Sequence, residues 1–206
     1  MSQLTKIIAI ILGAYLFGSI PTSYIFGRML KGIDIREHGS GNVGATNALR
    51  ILGTKIGVIT LLLDMFKGFL PVYIAMQLFA GNDLVAIGAG IATILGHIFT
   101  IYLSFKGGKG VATSAGVFIA LLPMAIVLCI AVFIIIVAIT RYVSLGSIVA
   151  ALTLFGYELI SNIRNDFQHL WLLLFVTILV LMIILRHTAN IKRLIAGTEN
   201  KISFKK

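Results

Sequence analysis

The chain has 206 residues, of which 59% are hydrophobic and only 12% charged, and its mean hydropathy is +1.05. Globular chains carry about 25% charge, so this composition excludes a soluble fold, a disordered chain, a disulfide scaffold and an ordinary nucleic-acid-binding domain. The 17 Lys and Arg against 7 Asp and Glu give a net charge of +10, which on so apolar a chain belongs at membrane edges and points to anionic headgroups, an anionic substrate, or both.

About 20 apolar residues cross the hydrocarbon of a bilayer as a helix. The first such run is predicted at residues 7–27. Lys6 ahead of it imitates a signal peptide, but one lysine is a weak basic region and the run is long, so it reads as a retained span. A second span is predicted at 56–80 and contains Asp64 and Lys67, three residues apart. Such charges are costly in hydrocarbon unless paired or near the interface, which leaves a structural ion pair or support of a site as their roles. Gly81-Asn82-Asp83 signals a turn, and 84–105 is the third span.

Residues 111–140 would extend about 45 Å as one straight helix, with Pro123 near the middle. They form either one kinked span or a hairpin breaking near Leu122-Pro123. Two further spans are predicted at 143–160 and 169–185, separated by the polar segment 161–166. With the hairpin, 14 of the 17 basic residues, all but Lys6, Lys67 and Arg164, collect on one side of the membrane. A single span divides them evenly, so the positive-inside bias selects seven membrane segments, N-terminus outside and C-terminus cytoplasmic. The first half of the hairpin is short for a full crossing. The expected fold is an all-α polytopic integral membrane helical bundle forming one domain over residues 1–206. Cys129, the only cysteine, lies in an apolar run and packs as a small apolar residue.

Three polar constellations fall on the predicted cytoplasmic side. The first is Gly39-Ser40-Gly41-Asn42-Val43-Gly44-Ala45-Thr46-Asn47, followed by Arg50. Glycines allow close ligand approach, and successive backbone N–H groups make an anion nest, above all where a helix starts near Thr46 or Asn47. The string Gly39-x-Gly41-x-x-Gly44 imitates a dinucleotide fingerprint, but no strand precedes it. A flexible inter-span loop is the alternative.

The second constellation is Gly96-His97-Ile98-Phe99, then Phe105-Lys106-Gly107-Gly108-Lys109-Gly110-Val111-Ala112-Thr113. Two lysines among glycines before an apolar helix suit an anion held by amides and ammonium groups. The Walker A spacing is missing. His97 fits a packing role as well as a catalytic one, and Lys106 alone is explained by a basic membrane edge.

The third is Arg186-His187-Thr188-Ala189-Asn190-Ile191-Lys192-Arg193-Leu194, with Gly197 and Glu199 beyond. If helical, His187 and Asn190 share a face that could bind phosphate and present imidazole for proton transfer. A basic stop-transfer flank explains Lys201, Lys205 and Lys206 but explains His187 and Asn190 less well. Arg141 with Ser144 and Ser147 adds a charge and two hydroxyls, where helix packing is an equal alternative.

In order and spacing these constellations resemble the motifs of the bacterial acyl-phosphate-dependent glycerol-3-phosphate acyltransferase family, across most of the chain. The matching residues are Ser40-Gly41-Asn42-x-Gly44-Ala45-Thr46-Asn47, Gly96-His97-x-Phe99 with Phe105 to Thr113, and Arg186-His187-x-x-Asn190-Ile191-x-Arg193-Leu194-x-x-Gly197-x-Glu199. Thr100 departs from the proline usual in the family. The resemblance implies acyl transfer from acyl phosphate to the 1-hydroxyl of sn-glycerol 3-phosphate, giving lysophosphatidic acid and phosphate, the first acylation of phospholipid biosynthesis. It implies a bacterial inner membrane location, no cofactor, no metal and no nucleic acid, with membrane lipid as partner and a monomer compatible with the activity. The family lacks the His-x-x-x-x-Asp signature of soluble-type acyltransferases, and here Val43, Tyr102, Leu174 and Lys192 stand five residues beyond the four histidines.

Both substrates of such a reaction carry phosphate, and the acyl group arrives activated, so the protein needs to orient the hydroxyl and stabilise developing charge. On that reading Lys109, His187, Asn190 and Arg50 are the catalytic candidates, with Ser144 or Ser147 beside them on glycerol 3-phosphate. Ser40, Gly41, Asn42, Gly44 and Thr46, with Lys106, are expected on the acyl phosphate. Asn47, His97, Gly107, Gly108, Gly110, Arg186 and Arg193 complete the expected binding set. The hydroxyl proton has two candidate acceptors, His187 and a substrate phosphate oxygen. A transporter for phosphorylated molecules and a membrane phosphotransferase are the rival readings. The first calls for polar groups through both membrane halves, and the second for carboxylate-rich metal clusters.

Overall fold

The computed structural model describes residues 2–202, and Lys205 and Lys206, assigned above to membrane anchoring, lie outside the described residues. Among the described residues the chain is helical and contains no strand. It forms two compact units, Met1–Leu121 and Leu122–Lys206.

In the first unit the expected span at 7–27 falls within one membrane-length apolar stretch, 3–31, that is built of two helices, α1 (Gln3–Gly18) and α2 (Thr22–Lys31). The break falls at Ser19-Ile20-Pro21, because a proline disfavours helical geometry in the residue before it. Gly32, in the left-handed region at φ 68°, ends α2. An amphipathic helix, α3 (Ala45–Leu52), follows the first glycine loop, and Lys31 donates to the Ile51 carbonyl at 2.6 Å. The 25-residue α4 (Thr54–Leu78) is about 37 Å long and carries Asp64 and Lys67 near its middle. α5 (Asp83–Ile98) and the helical turn Ile101–Leu103 after it make one apolar stretch over 83–103, close to the expected 84–105, and α6 (Val111–Leu121) closes the unit.

Helices cannot gain a hydrophobic driving force against lipid tails, so they pack by close backbone approach at small residues. A Cβ on Gly68 would collide with the Thr113 carbonyl and one on Gly116 with the Met65 carbonyl, which locks α4 to α6. Gly18 and Gly96 pair α1 with α5 in the same way, against the Thr93 and Tyr15 carbonyls.

The second unit begins with α7 (Pro123–Thr140), so the chain breaks at Leu122 as the hairpin reading expects, with Pro123 opening the new helix. α8 (Val143–Arg164) packs against both α7 and α9 (Leu170–Arg186). α10 (Thr188–Ile195) turns away from α9 by 57° at His187. Large apolar side chains such as Ile134, Ile139, Ile178 and Leu181 are exposed, as lipid-facing surfaces require.

Among the described residues five helical stretches, with α1 and α2 counting as one, are long and apolar enough to cross a membrane, and six if α9 and α10 count as one bent span. The seventh expected segment is α6, an apolar helix whose 11 residues cover only about 16 Å, short for a crossing as expected of the first half of the hairpin, so the count of seven crossings is not confirmed.

Candidate active site

The first glycine loop is shaped by side chains that face inward. Asp34 accepts from the Arg36 backbone N–H at 3.0 Å and pairs with the guanidinium groups of Arg36 at 2.6 Å and Arg28 at 3.3 Å. The Arg36 hydrogen bond holds the Asp34 carboxyl at about 2, although burial pushes it upward. Asn47, expected on substrate, is only 1% exposed and holds the loop itself. Its Oδ1 accepts from the Ser40 N–H at 2.9 Å, and its Nδ2 donates to the Ile35 and His38 carbonyls. Gly41, at φ 69°, lies against the Arg36 carbonyl where a side chain would crowd. Ser40 is exposed, and Gly41, Asn42, Gly44, Thr46 and Arg50 are half-buried beside it. α3 starts at Ala45, so its N-terminal amides adjoin the loop as an anion nest requires.

The second glycine loop caps α5. Gly107 and Gly108 donate their N–H groups to the Ile98 and His97 carbonyls at 3.0 and 3.1 Å, which satisfies helix-end acceptors and explains why α5 stops there. Gly108 is wedged between the His97 ring and the Val43 carbonyl, so the two loops of this unit meet at one glycine. Lys106 is exposed and Lys109 half-buried, just before Gly110, whose φ of 84° turns the chain into α6. Thr100, where the family usually has proline, donates its hydroxyl to the Ser19 carbonyl at 2.5 Å.

In the second unit the organising group is Glu199, 8% exposed. Its Oε1 accepts from Ser144 Oγ at 2.8 Å and Asn190 Nδ2 at 2.6 Å, and its Oε2 accepts from Arg193 Nε at 2.7 Å. Burial raises the affinity of this carboxyl for protons, but the bonds from Asn190, Arg193 and Ser144 outweigh it and leave the pKa below the ordinary carboxylate value. The Ile202 N–H bonds to the Arg141 carbonyl at 2.8 Å, so residues 199–202 strap back onto the start of α8. Ser147 instead donates to the Val143 carbonyl of its own helix at 2.9 Å.

His187 is 2% exposed and sits at the bend between α9 and α10. Its Nδ1 lies 2.8 Å from the Ile183 carbonyl. A carbonyl only accepts, so Nδ1 carries a proton, and in the neutral ring Nε2 is the acceptor nitrogen. Arg186 is exposed next to it.

The structure therefore gathers the first two constellations in one unit and Ser144, Asn190, Arg193 and Glu199 in the other. In the sequence Glu199 stands out only as the last residue of the third motif. The available signal was that it is the one acid in an otherwise basic C-terminal segment. Among the described residues no cluster of His, Cys, Asp and Glu has metal-holding geometry.

The family model described as Glycerol-3-phosphate acyltransferase matches residues 8–197. A protein of that name from Trichlorobacter lovleyi is 50% identical over 192 residues, covering 93% of this chain and 95% of its own. Another from Chlorobaculum tepidum is 43% identical, covering 96% and 97%. The crystal structure of PlsY (YgiH), an integral membrane glycerol 3-phosphate acyltransferase, in its glycerol 3-phosphate form, superposes with a TM-score of 0.88 at 38% identity. Its lysophosphatidic acid form gives 0.85, and each covers 96% of both chains.

Proposed function

This chain belongs to the glycerol-3-phosphate acyltransferase family, and from that premise we propose that it takes its acyl group from acyl phosphate. The glycerol 3-phosphate 1-hydroxyl oxygen bonds to the acyl carbonyl carbon, and the bond from that carbon to the phosphate oxygen breaks. The products are 1-acyl-glycerol 3-phosphate and inorganic phosphate, so no covalent enzyme intermediate is needed.

The observation that carries this reading is the joined pair of glycine loops with Lys106 and Lys109 at the start of α6, which suits a phosphate-bearing donor. Ser40, Gly41, Asn42, Gly44 and Thr46 contribute to the same proposed donor site. Asn190 and Arg193, held by Glu199, and His187, held with Nε2 as acceptor, are suited to an anionic substrate with a hydroxyl to orient. Two groups fit as acceptor of the hydroxyl proton, His187 Nε2 and the departing phosphate.

The activity is assigned to residues 1–206 as one acyltransferase domain, since the family match runs through both units. We also propose a bacterial cytoplasmic membrane location with the N-terminus outside, action as a monomer, and the basic loops with their site on the cytoplasmic side. The charge bias supports that orientation. The test is incubation of the purified protein with palmitoyl phosphate and glycerol 3-phosphate, with palmitoyl-CoA in a parallel sample. Lysophosphatidic acid is expected from the acyl phosphate alone, and formation only from the thioester overturns the donor assignment.

A further inference from the structure

Asp64 and Lys67 are 1% and 3% exposed in the middle of α4, where burying a charge pair has a net cost unless further bonds compensate. Lys67 Nζ donates to Asp64 Oδ1 at 2.8 Å and to the Ile20 carbonyl at 2.8 Å, which ties the α1–α2 break to α4. Thr22 Oγ1 donates to the same Oδ1. A bare ion pair would end there, but His97 Nδ1 faces that oxygen as well, at 3.9 Å. The opposite edge of the ring, Nε2, lies against Gly108, where an added Cβ would overlap it. His97 and Ile98 also supply the carbonyls that receive the Gly108 and Gly107 N–H groups. The imidazole is thus enclosed between one carboxylate and the glycine-lysine loop. A carboxylate facing Nδ1 favours the proton on that nitrogen, which in the neutral ring leaves Nε2, on the Gly108 side, as the acceptor.

We propose that Asp64 is a positioning residue: through His97 it fixes the ring and tautomer that hold the Gly107–Lys109 loop, and so Lys109, in phosphate-binding geometry. The inference rests on the acyltransferase reading for its consequence but not for its structural half. Asp64→Asn alone strands the Lys67 ammonium, so the informative variant is Asp64→Asn with Lys67→Met, which removes both charges together. Its turnover with acyl phosphate is expected to fall about 10- to 100-fold, as for loss of an outer partner of a catalytic group.

The second measurement is 15N NMR of the His97 ring in the wild-type protein in lipid nanodiscs. A protonated Nδ1 and bare Nε2 are expected, with the two tautomers mixing in the double variant. A wild-type ring protonated at Nε2, a tautomer unchanged in the double variant, or wild-type turnover in that variant overturns the proposal. If the double variant does not fold, the wild-type tautomer alone decides. Wild-type protein that makes no lysophosphatidic acid sinks the functional reading instead, while the NMR result still tests the contact between Asp64 and His97.

Discussion

In the first unit the groups suited to phosphate are backbone amides and lysines on two loops, and packing gives the loops their shape: Asn47 braces one from inside, and Gly108 joins them where no side chain fits. In the second unit the corresponding groups are side chains on α8 and α10, and one carboxylate, Glu199, holds three of them by hydrogen bonds. The first arrangement tolerates little change in volume and the second little change in charge. Amides on a rigid loop suit a phosphate whose position is fixed, whereas a carboxylate that aims an amide and a guanidinium suits a substrate whose hydroxyl must be pointed.

The largest expected effects remove the groups themselves. Lys109→Ala in the first unit and His187→Ala in the second are each expected to lower turnover about a hundredfold or more, from loss of roughly 3 kcal/mol of transition-state stabilisation. Steady-state kinetics with acyl phosphate on purified, folded variants checks this, and normal turnover in either removes that unit from the chemistry. Next comes volume. Gly108→Ala places a methyl group against His97 and the Val43 carbonyl, so the loop must shift. A shift of about 1 Å costs about a hundredfold in rate, with the melting temperature showing whether the helices remain packed. Wild-type rates would mean that the loops are softer than the comparison requires.

Charge follows. Glu199→Ala takes the acceptor from Ser144, Asn190 and Arg193. Turnover is expected to fall about 10- to 100-fold, with a loss of stability of roughly 1.5–3 kcal/mol. Glu199→Gln keeps an oxygen for Ser144 and Asn190 and should fall between Ala and wild type. If Gln and Ala behave alike in both assays, the charge facing Arg193 outweighs the two neutral bonds.

Much of this was legible in the sequence because hydropathy and proline act locally. The apolar runs became helices, Pro123 divided residues 111–140, and the three-residue spacing of Asp64 and Lys67 gave an ion pair. What escaped depends on distant partners. The cap on α5 needs the Gly107 and Gly108 amides, which return to the Ile98 and His97 carbonyls. The inward role of Asn47 needs the Ile35 and His38 carbonyls, and Glu199 becomes an organiser only when residues 199–202 fold back to Arg141 and Ser144. The α1–α2 break lies at a proline inside an apolar run, where composition alone kept the span whole.

The smallest effect is expected at Asp34, a carboxylate in the first unit that resembles Glu199 in being buried and bonded to arginine. Its partners Arg28 and Arg36 are 48% and 36% exposed, so solvent screens the pairs and each is worth less than about 1 kcal/mol. The Arg36 bond depresses the folded-state pKa to about 2 from the ordinary 3.8. The contribution is therefore complete above 3.8 and disappears as pH falls through about 2. Asp34→Asn keeps an oxygen to cap the Arg36 N–H, so neutral-pH turnover should stay near wild type. The stability gap between variant and wild type should close on acidification and narrow in high salt. Denaturation curves from neutral to acid pH measure that gap. A turnover loss in Asp34→Asn as large as in Glu199→Ala would show that the first unit also depends on a carboxylate clamp, and the contrast between the units would fail.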